Sequence, residues 1–326
     1  MEKKRKIADK FKDVLSSRSV FGAILPLIII YVVVYFVNPN FFRVNNLLDV
    51  LRTASFTFIV AMPLTFLMSA GASTDLSISA TTSLGGVVCA LFLKAGFNLV
   101  IALPAGVCAG VLVGLANSFL VVRCKLPDFI ATLGTQYAVN GFIAIITNNL
   151  PVANFDGFFK EISQYKVGNY ISMPVIYATV IGVIGHIVMT RTRFGRECLA
   201  TGGNKEAAHL AGINVKRNTV LCYVTLAAFS ALSGILIAAR FASAQPAAGN
   251  GTEMTITASV IIGGTSMFGG QGTIIGSALG CILLATITNA LIVMHVSTLW
   301  QNLIYGLILI IALFVDKARR KVLSGQ

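Results

Sequence analysis

Long apolar stretches, each close to the length of a membrane-spanning helix, dominate this sequence. They lie at 20–37, 53–71, 76–93, 98–122, 128–147, 170–190, 219–240, 253–268, 272–294 and 297–315. A helix that crosses the hydrocarbon core of a bilayer needs about 20 mostly apolar residues. Of the 326 residues, 56% are hydrophobic and only 11% are charged, whereas a soluble domain carries about 25% charged residues. The sequence therefore predicts an all-α polytopic membrane protein with about ten transmembrane helices, and it argues against a soluble enzyme or a disordered chain.

The basic residues give the predicted helices an orientation. Nineteen of the 25 lysines and arginines lie in four clusters, at 3–18, 123–125, 191–217 and 317–321. Cytoplasmic loops of membrane proteins are rich in such residues. With ten spans and a cytoplasmic amino terminus, all four clusters fall in the cytoplasm, whereas eight spans, without the third and eighth, would place 123–125 outside. We therefore expect both termini in the cytoplasm. The position of these clusters beside apolar stretches also argues against a nucleic-acid partner.

The same segments divide the chain into three parts. We expect a cytoplasmic basic segment at 1–19, a single transmembrane domain at 20–315 and a cytoplasmic basic tail at 316–326. Within the domain, 148–169 is the longest predicted outer loop and 191–218 the longest inner loop. Because no A-x-A cleavage pattern follows the first apolar stretch, we expect a retained helix and not a signal peptide.

The sequence contains an internal repeat. Residues 74–86 are echoed at 252–264, with five of 13 positions identical and five more closely similar, and Asn117 and Asn289 each lie near the end of the following span. In the predicted topology the third span runs outward and the eighth inward, so the two copies are inverted. Inverted repeats with helices broken near the bilayer midplane are typical of transporters. We therefore expect a transporter with short or broken helices, of which the eighth stretch is a partly re-entrant candidate.

Polar residues at these breaks have two interpretations. Each copy begins with a hydroxyl residue and an acid, which is typical of helix capping. An acid at membrane depth also usually faces a wet cavity, where its carboxylate can accept hydrogen bonds from a polyol. Amides in the spans either bond between helices or line a polar path. The pathway candidates are Thr74, Asp75, Ser77, Asn117, Gln136, Asn140, Thr252, Glu253 and Asn289.

A glycine-rich segment follows the second copy of the repeat. Its glycines are Gly263, Gly264, Gly269, Gly270 and Gly272. The Lys-Ser/Thr pair of a phosphate-binding loop does not follow them, so we expect a tight turn where backbones approach closely, and no nucleotide. The three histidines and six cysteines show no metal-ligand spacing, and no nucleophile–base pattern is present. We therefore expect no metal site and no catalytic residue, with the cysteines as small core residues.

The long inner loop contains a short predicted helix. Asn204 is a good N-cap for a helix from Lys205 to Ala211, and Gly212 is a natural stop. Alanines at 207, 208 and 211 predict a flat face that docks into a partner's groove. The alternative is a helix on the bilayer surface, but this face lacks the bulky apolar side chains of such helices. The candidates for partner docking are Asn204, Lys205, Glu206, Ala207, Ala208, His209, Ala211 and Gly212.

Three groups of residues resemble signatures of the permease subunits of bacterial ABC importers for ribose and related sugars, distant kin of the branched-chain amino-acid permeases. They are Pro127, Phe-Ile at 129–130, Thr-Leu-Gly-Thr at 132–135 and Gly141; Thr-Arg-Phe-Gly-Arg at 192–196, Gly-Gly-Asn at 202–204, Ala-Ala at 207–208 and Ala-Gly-Ile at 211–213; and Ile-Gly-Gly-Thr-Ser at 262–266 with Gly269, Gly270 and Gly272. The likeness extends from about residue 45 to 316. One segment differs from the family signature. Residues 72–79 read Ala-Ser-Thr-Asp-Leu-Ser-Ile-Ser, whereas the family usually has Gly-Gly-Ile-Asp-Leu-Ser-Val-Gly there. The Asp-Leu-Ser core is kept, but three glycines are missing.

The resemblance implies the role of the chain and its partners. It implies the translocation pathway of a monosaccharide importer in the bacterial cytoplasmic membrane, with no enzymatic activity and no cofactor bound by this chain. The implied partners are a second permease copy or a homologous permease, ATPase subunits that bind ATP and Mg, and an extracytoplasmic sugar-binding protein. The helix at 204–213 is then the coupling helix that meets the ATPase. A nucleoside or a furanose-like signalling molecule is an alternative substrate, and an ion-coupled secondary transporter that uses Asp75 and Glu253 is an alternative class.

Overall fold

The computed structural model describes residues 39–153, 155 and 157–297, with isolated positions at 27, 28, 31, 32, 34, 300, 303, 304, 306, 307, 310 and 314. These residues form a helical bundle with four two-residue strands. The prediction of an all-α polytopic membrane protein is confirmed at this level. The predicted first and tenth spans, 20–37 and 297–315, lie mostly outside the described residues, which include five positions of the first and eight of the tenth.

Eleven α-helices lie between residues 44 and 293 of the described chain. They are α1 Val44–Ser69, α2 Ile78–Lys94, α3 Leu99–Ser118, α4 Asp128–Thr147, α5 Phe158–Gln164, α6 Met173–Arg191, α7 Arg193–Gly203, α8 Lys205–Leu210, α9 Val215–Phe241, α10 Thr252–Ile262 and α11 Ile274–Val293. A 3-10 turn at Pro39–Phe42 precedes α1, and a π-helical turn at Phe119–Arg123 extends α3. Strand β1 (Val152–Ala153) pairs antiparallel with β4 (Ser243–Ala244), and β2 (Lys166–Val167) with β3 (Ile171–Ser172).

Six of the described helices are long and apolar enough to cross a membrane: α1, α3 with its π-helical turn, α4, α6, α9 and α11. The predicted third and eighth spans are the shorter helices α2, of 17 residues, and α10, of 11 residues. At 1.5 Å per residue, α10 is about 16 Å long, roughly half of a hydrocarbon core. The prediction of a helix that continues to residue 268 in the eighth span was wrong. Helix α10 ends at Ile262, and Gly264 then has a left-handed φ of +87°.

Helix α9 lies at the centre of the described bundle and contacts α1, α2 and α3. Glycines recur at four-residue intervals on α3: Gly110 and Gly114 face the backbone of α9, whereas Gly106 faces the Gly85 carbonyl oxygen of α2 and the Ile235 side chain of α9. A Cβ atom at Gly110 would lie 2.6 Å from both the Ala227 carbonyl oxygen and the Ala231 Cβ. Small residues let membrane helices approach in this way, so that backbone packing holds them together.

Four of the six cysteines are buried in the bundle as predicted, whereas Cys108 and Cys124 are exposed. Cys108 belongs to α3, and Cys124 follows the π-helical turn at its end. A core role is therefore wrong for these two, because they face out of the bundle.

Loops gather at the two ends of the bundle. At one end, β1 pairs with β4, and the Gln164 side-chain amide donates to the Arg240 carbonyl oxygen over 2.8 Å. At the other end, the segment after α1 contacts the end of α7 and the glycine-rich turn after α10. The first set consists of predicted outer segments and the second of predicted inner segments.

Candidate functional site

A buried polar network occupies the break between α1 and α2, residues 70–77. One carboxylate oxygen of Asp75 accepts hydrogen bonds from the Ser77 amide (2.8 Å) and the Ser77 hydroxyl (2.6 Å). Its other oxygen accepts from the Asn117 side-chain amide over 3.3 Å, and that amide also donates to the Ser77 hydroxyl oxygen over 2.7 Å. An aspartate that caps a backbone amide two residues on is a common turn former. Three pathway candidates therefore join the break to α3.

This network is closed to solvent. Asp75 and Ser77 are each 1% exposed and Asn117 is 0% exposed. The Asn117 side-chain oxygen is buried and has no hydrogen-bond partner in the described part of the chain. A carboxylate at this depth is stabilised by the donors around it, because an unpaired buried charge is costly.

The two copies of the internal repeat lie against each other. The hydroxyls of Thr74 and Thr257 are 2.9 Å apart, and the Ser83 hydroxyl oxygen accepts from the Gly249 amide over 2.9 Å. When the two copies are aligned, Thr257 corresponds to Ser79, and Thr252 corresponds to Thr74. The Ser79 backbone packs against Gly249, shortly before Thr252. The contact is thus nearly reciprocal.

Helix α4 closes one side of the break. The Gln136 amide donates to the Ser79 hydroxyl oxygen over 2.8 Å, and half-buried Asn140 lies one turn further along α4. At the start of α4, an Asp128 carboxylate oxygen accepts from the Ser73 amide (2.6 Å) and hydroxyl (2.8 Å). The Thr132 hydroxyl oxygen accepts from the Leu76 amide over 3.2 Å.

Asp128 and Thr132 were not among the pathway candidates. The available signal was an acid in the first turn of a helix directly after proline, which also has an ordinary capping interpretation.

The remaining candidates are not part of this network. Glu253 lies in the first turn of α10, 9% exposed, and one of its carboxylate oxygens is buried without a hydrogen-bond partner. The Thr252 hydroxyl donates to the Gly249 carbonyl oxygen over 2.6 Å. Asn289 accepts from the Asn46 amide over 2.8 Å. Asn289 therefore does not repeat the contacts of Asn117.

The interpretation of Thr74 and Thr252 as helix N-cap residues is also wrong. The N-cap residues are Ser77 for α2 and Gly251 for α10. At the first break, the Asp75 carboxylate accepts from the backbone amide of the N-cap residue Ser77, and the Thr74 hydroxyl bonds to Thr257 of α10.

The inner loop forms the short helix α8. The Asn204 side-chain oxygen accepts from the amides of Glu206 and Ala207, each over 3.0 Å, and Gly212 has a left-handed φ of +80°. Lys205, Glu206, Ala207, His209 and Ala211 are exposed. Ala208 is only 4% exposed, so its predicted place on the docking face is wrong, because it packs inside the chain.

Leu210 was not predicted as a docking residue. It is 87% exposed at the end of α8. A single leucine at the end of a short polar helix gives no distinctive pattern in a sequence as apolar as this one.

The glycine-rich segment forms a compact turn between α10 and α11. A Cβ atom at Gly263 would lie 2.6 Å from the Ser277 amide nitrogen, and one at Gly272 would lie 3.0 Å from the Thr265 methyl group. Gly264, Gly269 and Gly270 have positive φ angles, which glycine adopts without steric cost.

The comparisons with known proteins agree with this architecture. The chain matches the family model described as branched-chain amino acid transport system / permease component over residues 46–313. It is 31% identical to the ribose import permease protein of Haemophilus influenzae over 90% of this chain and 91% of that protein. It is 32% identical to the ribose import permease protein of Bacillus subtilis (91% and 92%) and 33% identical to the D-allose transport system permease protein of Escherichia coli (91% and 91%). No solved structure is significantly similar to it. With a match over most of its length, the chain belongs to the family of branched-chain amino acid transport system permease components, as a multi-pass membrane protein.

Proposed function

We propose that this chain is the transmembrane permease of a bacterial ABC importer and forms the pathway for a monosaccharide. The observation that carries the proposal is the likeness to ribose and D-allose permeases over nine tenths of both chains. ATP hydrolysis belongs to a partner ATPase that binds ATP and Mg, and a second permease and an extracytoplasmic sugar-binding protein complete the assembly. A nucleoside or furanose-like solute is the second candidate substrate.

The proposed pathway runs along the contact between the 70–77 break, α4 and α10. Thr74 bonds to Thr257, and Gln136 bonds to Ser79, each through one neutral hydrogen bond. Sugar hydroxyls can replace both as donors and acceptors. Asp75, Ser77 and Asn117 hold the backbone of the break in place. Asn140, Thr252 and Glu253 flank the contact, and Asn289 stabilises the packing of α11 against the start of α1.

Ten spans and an inverted repeat are part of the proposal. The near-reciprocal contact between 74–83 and 249–257 supports a pseudo-twofold relation between the copies. Two related segments that meet at one site can rock about it, which is how inverted-repeat transporters alternate their access.

Uptake by proteoliposomes tests the function. They would contain the permease, its ATPase and its binding protein, with ATP on the ATPase side, and uptake of labelled ribose is expected to require ATP. Competition by unlabelled ribose, allose, galactose and uridine then ranks the substrates. Uptake driven by a proton or sodium gradient without an ATPase would establish the secondary transporter instead.

Helix α8 is the proposed docking element for the ATPase. Leu210 supplies an exposed apolar side chain beside the exposed polar residues of α8. Burial of such a side chain in a groove of the partner contributes roughly 1.5–3 kcal/mol.

Leu210→Glu is expected to weaken capture of the ATPase at least tenfold, because a carboxylate would replace the buried apolar contact. The measurement is pull-down of the ATPase by the detergent-solubilised permease. The matched control is Leu150→Glu, since Leu150 is also exposed, at 64%, but lies in the loop after α4. Equal capture by both variants would remove α8 from the docking surface.

The proposed orientation places both termini and 191–218 in the cytoplasm and 148–169 outside. It also keeps the three-part division of the chain into 1–19, 20–315 and 316–326. Single cysteines at Lys166 and Lys205, both exposed, report on the two ends of the bundle. The background replaces the exposed Cys108 and Cys124 with serine and keeps the buried cysteines.

Lys166→Cys is expected to react with a membrane-impermeant thiol reagent in intact cells, and Lys205→Cys only after the cells are lysed. The distribution of basic residues gives this order. The reverse order would invert the proposed topology.

A further inference from the structure

Three glycines from distant parts of the chain meet at one end of the bundle. We name Gly71, Gly202 and Gly269 the glycine junction. A Cβ atom at Gly269 would lie 2.8 Å from both the Gly202 carbonyl oxygen and the Gly71 Cα, and one at Gly71 would lie 3.3 Å from the Gly202 Cα. Gly71 and Gly269 have left-handed φ angles of +89° and +86°. The three segments therefore touch through their backbones.

Each glycine belongs to a different working part of the proposed transporter. Gly71 begins the break that contains Asp75. Gly202 lies in the last turn of α7, directly before α8. Gly269 lies in the turn between α10 and α11. The Gly270 amide donates to the Ser69 carbonyl oxygen over 3.0 Å, which ties the first and third segments together.

We propose that the glycine junction is the link that transmits displacement of α8 to both broken helices. The proposal rests on the proposed function, in which α8 docks on the ATPase. Side chains can absorb a displacement by changing rotamer, but touching backbones cannot, so close-packed contacts pass strain on. A shift of α7 and α8 therefore moves the 70–77 break and the 263–272 turn together.

Two buried hydroxyl groups beside the glycine junction support the idea that the segments around it adopt more than one relative position. Ser69 Oγ and Thr265 Oγ1 are both buried without a hydrogen-bond partner among the residues that the structure describes. Both border Gly272, whose added Cβ would contact them. Unsatisfied buried hydroxyls are rare in a finished core, and a relative movement of these segments offers each a partner.

The first test is Gly202→Ala with Gly203→Ala as its control. The added methyl group at Gly202 would lie 2.5 Å from the Gly270 amide nitrogen, whereas a Cβ at Gly203 has no neighbour within 4 Å. Both variants place one methyl group at consecutive positions of α7. We expect both to capture the ATPase, and we expect Gly202→Ala to transport at least tenfold less sugar per ATP hydrolysed. Gly203→Ala should stay within twofold of the unmodified permease.

A second variant loosens the link without overpacking it. Two glycines inserted between Gly203 and Asn204 separate α8 from the junction and leave the helix itself unchanged. Two glycines inserted after Gly96, in the loop between α2 and α3, where an added Cβ also has no neighbour within 4 Å among the described residues, are the matched control. We expect the first insertion to keep ATPase capture and hydrolysis but lose transport, and the second to keep both.

The outcomes separate this inference from the proposed function. Failure of the unmodified permease to capture an ATPase would overturn the proposed function itself. Capture with normal transport per ATP in both Gly202→Ala and the first insertion would overturn only the junction. If Gly202→Ala does not fold, as judged by size-exclusion chromatography, the insertion pair decides alone.

Discussion

Gly110→Leu is expected to abolish folding of the permease. Its added side chain would enter the contact between α3 and α9, where even a Cβ atom would lie 2.6 Å from the Ala227 carbonyl oxygen. Overpacking a core costs typically 1–3 kcal/mol, and more when a backbone must move. Gly114 packs against α9 in the same way, since an added Cβ there would lie 2.7 Å from the Tyr223 carbonyl oxygen, so the helices cannot separate at one point only. Loss of monodisperse protein in size-exclusion chromatography is the expected measurement.

Gly141→Leu is the control for this substitution. Gly141 also lies within a membrane-spanning helix, α4, but an added Cβ there has no neighbour within 4 Å. Both substitutions replace glycine by a better helix former, so a difference between them reports packing alone. A folded Gly110→Leu permease with an unchanged melting temperature would contradict the close contact of α3 with α9.

Asp75→Ala is expected to destabilise the permease strongly and to reduce sugar uptake. It removes the acceptor for the Ser77 amide, the Ser77 hydroxyl and the Asn117 amide. A buried donor left without an acceptor costs about 1–3 kcal/mol. Asp75→Asn keeps one acceptor oxygen but places its amide nitrogen against the Asn117 amide nitrogen. We expect its melting temperature to lie between those of Asp75→Ala and the unmodified protein.

An exchange of the two side chains tests the network directly. In Asp75→Asn with Asn117→Asp, the new amide at 75 can donate to the new carboxylate at 117, and the Ser77 amide keeps its acceptor. The double variant is therefore expected to recover a higher melting temperature than either single variant. Additive losses in the double variant would contradict the pairing of Asp75 with Asn117.

Asp49→Asn is the control for loss of a carboxylate. Asp49 has a side chain that is 52% exposed and pairs with Arg52, and such exposed pairs contribute about 0–1 kcal/mol. A fall in melting temperature as large as that of Asp75→Asn would mean that overall charge, and not the buried network, determines the effect.

The six long apolar helices were predictable because each one depends mainly on its own residues. Twenty apolar residues find their lowest free energy as a helix in a bilayer, whatever their neighbours are. The prediction for α4, 128–147, agrees with the structure at both ends. Pro127 fixes the start of this helix. Helix α1 begins at Val44, nine residues before the predicted span, because its first turns are polar and a helix does not need to end where the apolar stretch does.

Contacts between distant segments were decided only by the tertiary structure. The echo of 74–86 at 252–264 predicted a relation between two segments, but it did not predict which hydroxyl of one faces the other. Asn117 and Asn289 occupy similar places in sequence, yet one binds Asp75 and the other Asn46. The difference arises because a buried polar side chain takes the partner that helix packing brings within reach, and packing depends on the whole bundle.

The same reason explains the inner loop. Its sequence determined the cap at Asn204 and the stop at Gly212, since both depend on residues within one turn. The burial of Ala208 depends on how α8 packs against the rest of the chain, and the contact of Gly202 with Gly71 and Gly269 joins segments more than 50 residues apart. The long apolar helices and the cap and stop of α8 follow from local chemistry, whereas the polar network and the glycine junction exist only once the helices have packed.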